Sequence, residues 1–286
     1  MKRLITIGTI LLISTLQAQN LDKSLLWKIS GKGIEKPSYI FGTIHAKCDV
    51  SLSPKVMNAL NKTDQLYLEL DMDNPNMQAE MMSDVMMKDG MSMDKLASKE
   101  DYEIVDAFLK EQLGYSLQQI NTLKPFFVNA MFYPKILDCK SLSVEAELMK
   151  ISQQQNKEVL GLETVKEQME VFDAISYQEQ IDQLIKSVKD KLANDKKDYF
   201  EGLKMYEKED LYGLMEVFEK SQNTMMTKYN DVFLVDRNNN WILKIEKEIL
   251  QKPTFFGVGA AHLPGKDGII MLLRKNGYTV EAVFNN

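Results

Sequence analysis

Apolar residues along the chain switch repeatedly between a period of two and a helical period. Residues 25–30 (LLWKIS) and 38–44 (SYIFGTI) are short apolar runs separated by Gly31, Gly33 and Pro37, which predicts a hairpin-like pair of strands. Ser53 followed by Pro54 predicts a helix over 53–62, since serine caps free amides and proline is tolerated in a first turn. Residues 65–71 (QLYLELD) alternate, with Leu66, Leu68 and Leu70 on one face and Tyr67 and Glu69 on the other. Helical spacing returns over 77–86, 100–122 and 143–156, and Pro125 and Pro134 bracket an aromatic stretch between the last two. Residues 157–164 (KEVLGLET) read as a strand and turn, 165 to about 229 as helices without proline, and 238–250 as a further helix. A strand over 253–258, a helix over 268–275 and a strand over 278–284 complete the chain. There is no fixed repeat and no flexible linker. Strands at both ends with helices between predict a single α/β or α+β domain over 19–286, its central sheet formed from N- and C-terminal segments, with a largely helical middle insert over about 165–235.

The first 20 residues stand apart. Lys2 and Arg3 precede an apolar run from Leu4 to Leu16, too short to span a bilayer comfortably, and Ala18 offers a cleavage position. This predicts a signal peptide over 1–18 and an exported protein without a stable transmembrane helix, in a bacterial periplasm or at the cell surface. A buried N-terminal helix or a retained anchor are the alternatives. Export bears on Cys48 and Cys139, which could form a disulfide, remain two structural thiols, or supply a nucleophile through the nearby His45.

Charge and composition narrow the function. Lys plus Arg number 35 and Asp plus Glu 41, a formal net charge of -6, where a nucleic-acid binder would show a basic excess. Eight methionines fall between 72 and 93, and those at 77, 81, 82 and 86 have helical spacing. A helix packed with flexible fillers accounts for them; a Cu(I) thioether site or an adaptable substrate surface are the functional alternatives.

Only two histidines exist, His45 and His262. Each follows an aromatic strand-like run and then Gly-x-x: Gly42-Thr43-Ile44-His45 and Gly259-Ala260-Ala261-His262. A glycine there permits a close backbone approach, and the histidine would stand at a strand end, where α/β sheets hold ligands. Two imidazoles from separate strands can converge on one metal ion. Candidate carboxylates are Glu69 in LYLELD and Glu163 at the end of VLGLE, each of which could equally be a solvent-facing or loop residue. Glu145 suits a helix first turn on electrostatic grounds alone, and Arg237 in DRNNNW precedes a helix.

The succession YIFGTIH, LYLEL, KEVLGLETVKEQ, DRNNNW and FFGVGAAHLPGKDGIIMLLRKNGYTVE resembles the TraB/GumN family, which is related to the Tiki proteases, over about 25–286. The resemblance implies a metal-dependent protease supported by Mn or Co, with Zn also compatible. It implies His45 and His262 as metal ligands, Glu69 and Glu163 as ligands or general base, and Arg237 as an oxyanion or carboxylate partner. Relatives carry Gly-hydrophobic-Asp where this chain has Ser143-Val144-Glu145, so the acid is kept and the glycine is not. A peptide or protein substrate is therefore expected. An esterase-type hydrolase, or a protein that binds metal or haem without turnover, are the alternatives.

Overall fold

The computed structural model describes residues 21–285. The expected signal peptide over 1–18 lies outside the described residues. Six strands form one mixed sheet: β1 (Leu26–Ser30), β2 (Ser38–Thr43), β3 (Gln65–Leu68), β4 (Glu158–Gly161), β5 (Thr254–Gly259) and β6 (Thr279–Ala282). Their order is β4-β3-β5-β2-β1-β6. The four strands β4, β3, β5 and β2 run parallel, whereas β1 is antiparallel to both β2 and β6. The sheet thus joins N- and C-terminal segments as expected, and the fold is mixed α and β.

Burial explains the strand sequences. Every residue of β2 and β3 is buried, as is normal for parallel strands covered on both faces. The alternation in 65–71 therefore does not separate core from solvent. The strand ends at Leu68, and Glu69 turns inward, only 8% exposed, rather than toward water.

Helices cover the sheet and build a second core. The helices include α1 (Pro54–Asn61), α2 (Met77–Asp84), α3 (Lys99–Leu113), α4 (Val144–Gln154), α5 (Val165–Asp173), α6 (Tyr177–Lys189), α7 (Asp236–Ile249) and α8 (Ile269–Lys275). Pro54 stands in the first turn of α1, and Gly114 ends α3 in the left-handed region. Helix α3 stops nine residues short of the expected 122, because Gly114 breaks it before a 3-10 turn at Leu117–Ile120. The apolar faces of α3 and α6 meet through Val105, Leu109, Ile181 and Leu184 in a cluster separate from the sheet core. Within the helical section over 165–235, α6 shares this second core with residues from 87 to 136, whereas Tyr206, Leu211 and Leu214 pack into the sheet core. No described helix is long and apolar enough to cross a membrane.

The methionine-rich helix also differs from expectation. Helix α2 forms where the spacing predicts it, but none of its residues is buried, and Met82 is 57% exposed. Its methionines are therefore not core fillers. Helical spacing specifies one apolar stripe, and here that stripe is left partly open to solvent.

Candidate functional site

The parallel register brings both Gly-x-x-His segments together. Thr43 of β2 pairs with Gly259 of β5. His45 follows two residues after the first, and His262 closes a 3-10 turn, Ala260–His262, after the second. Glu69 follows the end of the next strand, β3, and Glu163 lies two residues past β4. The C-terminal ends of four adjacent parallel strands thus carry Glu163, Glu69, His262 and His45 in that order. Such an edge is where open α/β sheets place their ligand sites.

The glycines are explained by close packing. A Cβ on Gly42 would stand 3.0 Å from the Leu263 side chain and 3.1 Å from Ala260. One on Gly259 would stand 3.1 Å from Glu69 Oε1.

Arg237, in the first turn of α7, reaches into this edge. Its Nη2 contacts Glu69 Oε2 and Glu163 Oε1, each at 2.6 Å. Its Nε donates to Glu163 Oε2 at 3.2 Å, and its Nη1 donates to the Phe233 carbonyl and faces His262 Nε2, both at 3.1 Å. A guanidinium has five N–H donors, so Arg237 is fully engaged. Phe233 belongs to a π-helical turn, Asp231–Val235, that runs directly into α7.

The two glutamates are not equivalent. Glu163 accepts from Arg237 on both oxygens, from Gln168 on Oε1 at 3.0 Å and from Trp241 on Oε2 at 3.0 Å. All its in-plane acceptor positions are filled. Glu69 accepts from Arg237 and Gln168 on Oε2, but only the Gly259 amide, at 2.8 Å, donates to Oε1. That oxygen keeps one free position and lies 3.8 Å from His262 Nε2. Burial opposes charge on Glu69, yet Arg237 and the histidines outweigh it and hold its pKa down to about 2. For Glu163 burial wins over Arg237, and its pKa is raised.

The tautomer of His262 follows from its neighbours. Asn238 donates through Nδ2 to the carbonyls of Asp267, at 2.9 Å, and His262, at 3.3 Å. Its Oδ1 must then be the acceptor for His262 Nδ1, 2.7 Å away. The imidazole carries its proton on Nδ1 and presents a lone pair on Nε2. Burial lowers its pKa to about 3, with Arg237 reinforcing the effect and Glu69 opposing it. The Trp241 ring packs 4.5 Å from this imidazole, between centroids, and 4.6 Å from the Arg237 guanidinium.

His45 is the open half of the site, with its side chain 73% exposed. Its Nδ1 is ion-paired with Glu145 Oε1 at 2.9 Å, and Glu145 is itself buried and receives the Ser143 hydroxyl at 2.6 Å. The Glu145 contact raises the His45 pKa to about 9. The loop after His45 is held by a disulfide between Cys48 and Cys139, with Cα atoms 5.9 Å apart, and by mutual backbone hydrogen bonds of Lys47 with Leu142, both 2.9 Å. The two cysteines are therefore a structural cross-link and supply no nucleophile.

A model of the TraB/PrgY/gumN family matches residues 25–282. The chain belongs to this family. No curated protein and no solved structure matched it. The family match spans every strand and every site residue of this TraB/PrgY/gumN protein, from β1 to β6.

Whether these side chains suit a divalent metal can be tested on their own chemistry. Glu69, Glu145 and Glu163 supply three negative charges, and Arg237 with the His45 imidazolium supplies two positive ones, so a cation that took the place of the His45 Nε2 proton would meet a cluster short of positive charge. Each histidine has Nδ1 held by a side-chain oxygen, the usual support for ligation through Nε2. Charge and tautomer thus fit a divalent cation held by His45, His262 and Glu69. Glu163 has no lone pair left to give. As they stand, however, no three His, Cys, Asp or Glu side chains among the described residues form a metal-binding group. Arg237 Nη1 faces the His262 lone pair and must yield it for ligation.

Three partners were missed by sequence reasoning. Asn238, Trp241 and Gln168 stand inside the quoted segments DRNNNW and KEVLGLETVKEQ, but their bonds to His262, Glu163 and Glu69 cross 24, 78 and 99 positions and are not marked by residue type. Glu145 was visible as the acid in the family's altered loop, but its pairing with His45 was not.

Proposed function

We propose that this protein is an exported, metal-assisted hydrolase of peptide or protein substrates, acting at the C-terminal edge of β2, β5, β3 and β4. The convergence of His45, His262 and Glu69 at three adjacent strand ends carries the reading. A bound divalent ion, Mn or Co by family resemblance, supplies Lewis-acid polarisation of a carbonyl and an activated water. His45 offers Nε2 from the open side, and Glu145 orients its ring. His262 offers Nε2 from the buried side, and Asn238 fixes its tautomer. Glu69 offers Oε1. Its low pKa suits a ligand better than a general base, which works best with a pKa near the operating pH. Glu163 and Arg237 are positioning residues that hold Glu69 and His262 in place. The acidic net charge of -6 supports a substrate other than nucleic acid.

The test uses the mature protein with a peptide library, with and without Mn, beside His45→Ala, His262→Ala and Glu69→Gln. Metal-dependent cleavage should fall at least a hundredfold in each variant. Equal cleavage by all four proteins would remove the proposal. Ester substrates run in parallel distinguish a peptidase from an esterase.

A further inference from the structure

A groove of about 840 Å³ adjoins the site and shares Glu163, Arg237 and Trp241 with it. Helix α2, the ends of β3 and β4, α5 and α7 form its walls. Its lining is strongly unbalanced in charge. Asp71, Glu80, Glu167, Glu170 and Asp236 join Glu163 there, and among the described residues the lining cations are Arg237 and Lys244. Arg237 is already committed, and Lys244 offsets Glu167. Arg237 serves Glu69 and Glu163, and Lys244 donates to the Gly161 carbonyl at 2.7 Å.

Four of the six acids are poorly compensated, whereas Glu163 is held by Arg237 and Glu167 accepts from Thr164. Asp71 Oδ1 is buried with no hydrogen-bond partner among the described residues. Glu170 has only an exposed contact with Lys166 at 3.9 Å, which contributes little in water. Glu80 and Asp236 have no ion-pair partner among the described residues. The lining also carries apolar side chains, Leu70, Met77, Leu160, Leu162 and Val171 among them. Met77 belongs to α2, the helix that buries no residue, and a thioether on an unburied helix adapts to differing side chains. A groove that sets apolar side chains among uncompensated negative charges complements a chain that combines apolar and basic residues.

From this we infer that the groove binds an extended peptide segment in which lysine or arginine residues alternate with apolar ones, and delivers it to the histidine edge. The role as substrate rests on the hydrolase reading; the binding does not.

The experiment is fluorescence anisotropy on the mature protein, in EDTA. Three labelled decapeptides are used, Lys/Leu, Glu/Leu and Gln/Leu in alternation, at low and at raised salt. The Lys/Leu peptide should bind at least tenfold more tightly than the Glu/Leu peptide at low salt and weaken as salt rises. Glu80→Lys with Glu170→Lys should weaken it at least tenfold, with the circular-dichroism melt checked for an unchanged fold. Glu103→Lys with Glu216→Lys makes the same charge change on exposed acids outside the groove. Equal affinity for the three peptides would overturn the inference. So would an unchanged affinity after the groove reversal, or an equal loss after the control reversal, which would trace binding to overall charge. Cleavage of the same peptides with added Mn is read separately. Its absence counts against the hydrolase reading and leaves the binding result standing.

Discussion

Arg237 Nη1 lies 3.1 Å from His262 Nε2, so a guanidinium faces the lone pair that a ligand would need. The same side chain neutralises Glu69 and Glu163, which are 10% and 5% exposed. Arg237→Met therefore leaves two buried carboxylates without their cation. Losing one partner of a buried ion pair costs about 3–5 kcal/mol. Urea unfolding should show a loss of that size. Adding Glu163→Gln to Arg237→Met should recover part of it, since one of the stranded charges is then gone. A double variant no more stable than the single one would show that Glu163 does not depend on Arg237.

The two histidines should give a stability profile that peaks near neutral pH in metal-free buffer. His262 has a folded pKa of about 3 against an ordinary 6.5. The unfolded chain therefore binds a proton there first, and stability falls as pH drops from 6.5 toward 3, by up to about 1.4 kcal/mol per pH unit. Glu69, with a folded pKa of about 2 against 4.5, adds to the loss below pH 4.5. His45 acts in the opposite sense, because its folded pKa is raised to about 9. Its contribution is present below 6.5 and lost as pH rises through 9, and its exposure keeps it small. Urea melts at pH 7, 6 and 5 check this. His262→Gln should flatten the decline between pH 6.5 and 5; an undiminished slope would assign the acid lability elsewhere.

Different parts of the site were legible in the sequence for different reasons. The two Gly-x-x-His segments were readable because strand, close-packed glycine and histidine are contiguous, and each reports its own strand end. The sheet made from both chain termini was readable from strand-like runs at either end. The choice between Glu69 and Glu163 was not, since it depends on counting donors from Gly259, Gln168, Arg237 and Trp241, which lie far apart in the chain. The pairing of Cys48 with Cys139 was equally open, because two cysteines separated by 91 positions carry no geometry of their own. The methionines of α2 were misread because helical spacing is the same whether a stripe meets a core or a groove.

The Cys48–Cys139 disulfide should couple global stability to the active edge. It closes a loop across a sequence separation of 91, for which chain entropy gives about 4–5 kcal/mol. It also pins the loop after His45 to the segment leading into α4, whose first turn holds Glu145. Cys48→Ser with Cys139→Ser should lower the melting temperature markedly, and reductant should lower that of the natural chain but not of the variant. Hydrolysis should fall beyond what unfolding explains at a temperature where both proteins are folded, because the His45–Glu145 contact loosens. Identical melts with and without reductant would mean that the bond does not form.

Gly259 should be the less forgiving of the two motif glycines in function, and Gly42 in stability. A Cβ on Gly42 meets Leu263 and Ala260 inside the core, where overpacking costs about 1–3 kcal/mol. A Cβ on Gly259 instead presses on Glu69 Oε1 at 3.1 Å, a carboxylate oxygen that keeps a free acceptor position. Relief there means moving Glu69 rather than the core. Gly42→Ala should therefore shift the urea midpoint while the surviving folded fraction keeps its activity. Gly259→Ala should keep most of its stability and lose activity or Mn affinity at least tenfold, read by turnover and by titration of the metal. If both variants lose stability alone, Gly259 serves only to pack β5, and Glu69 is not held in place by the backbone beside it.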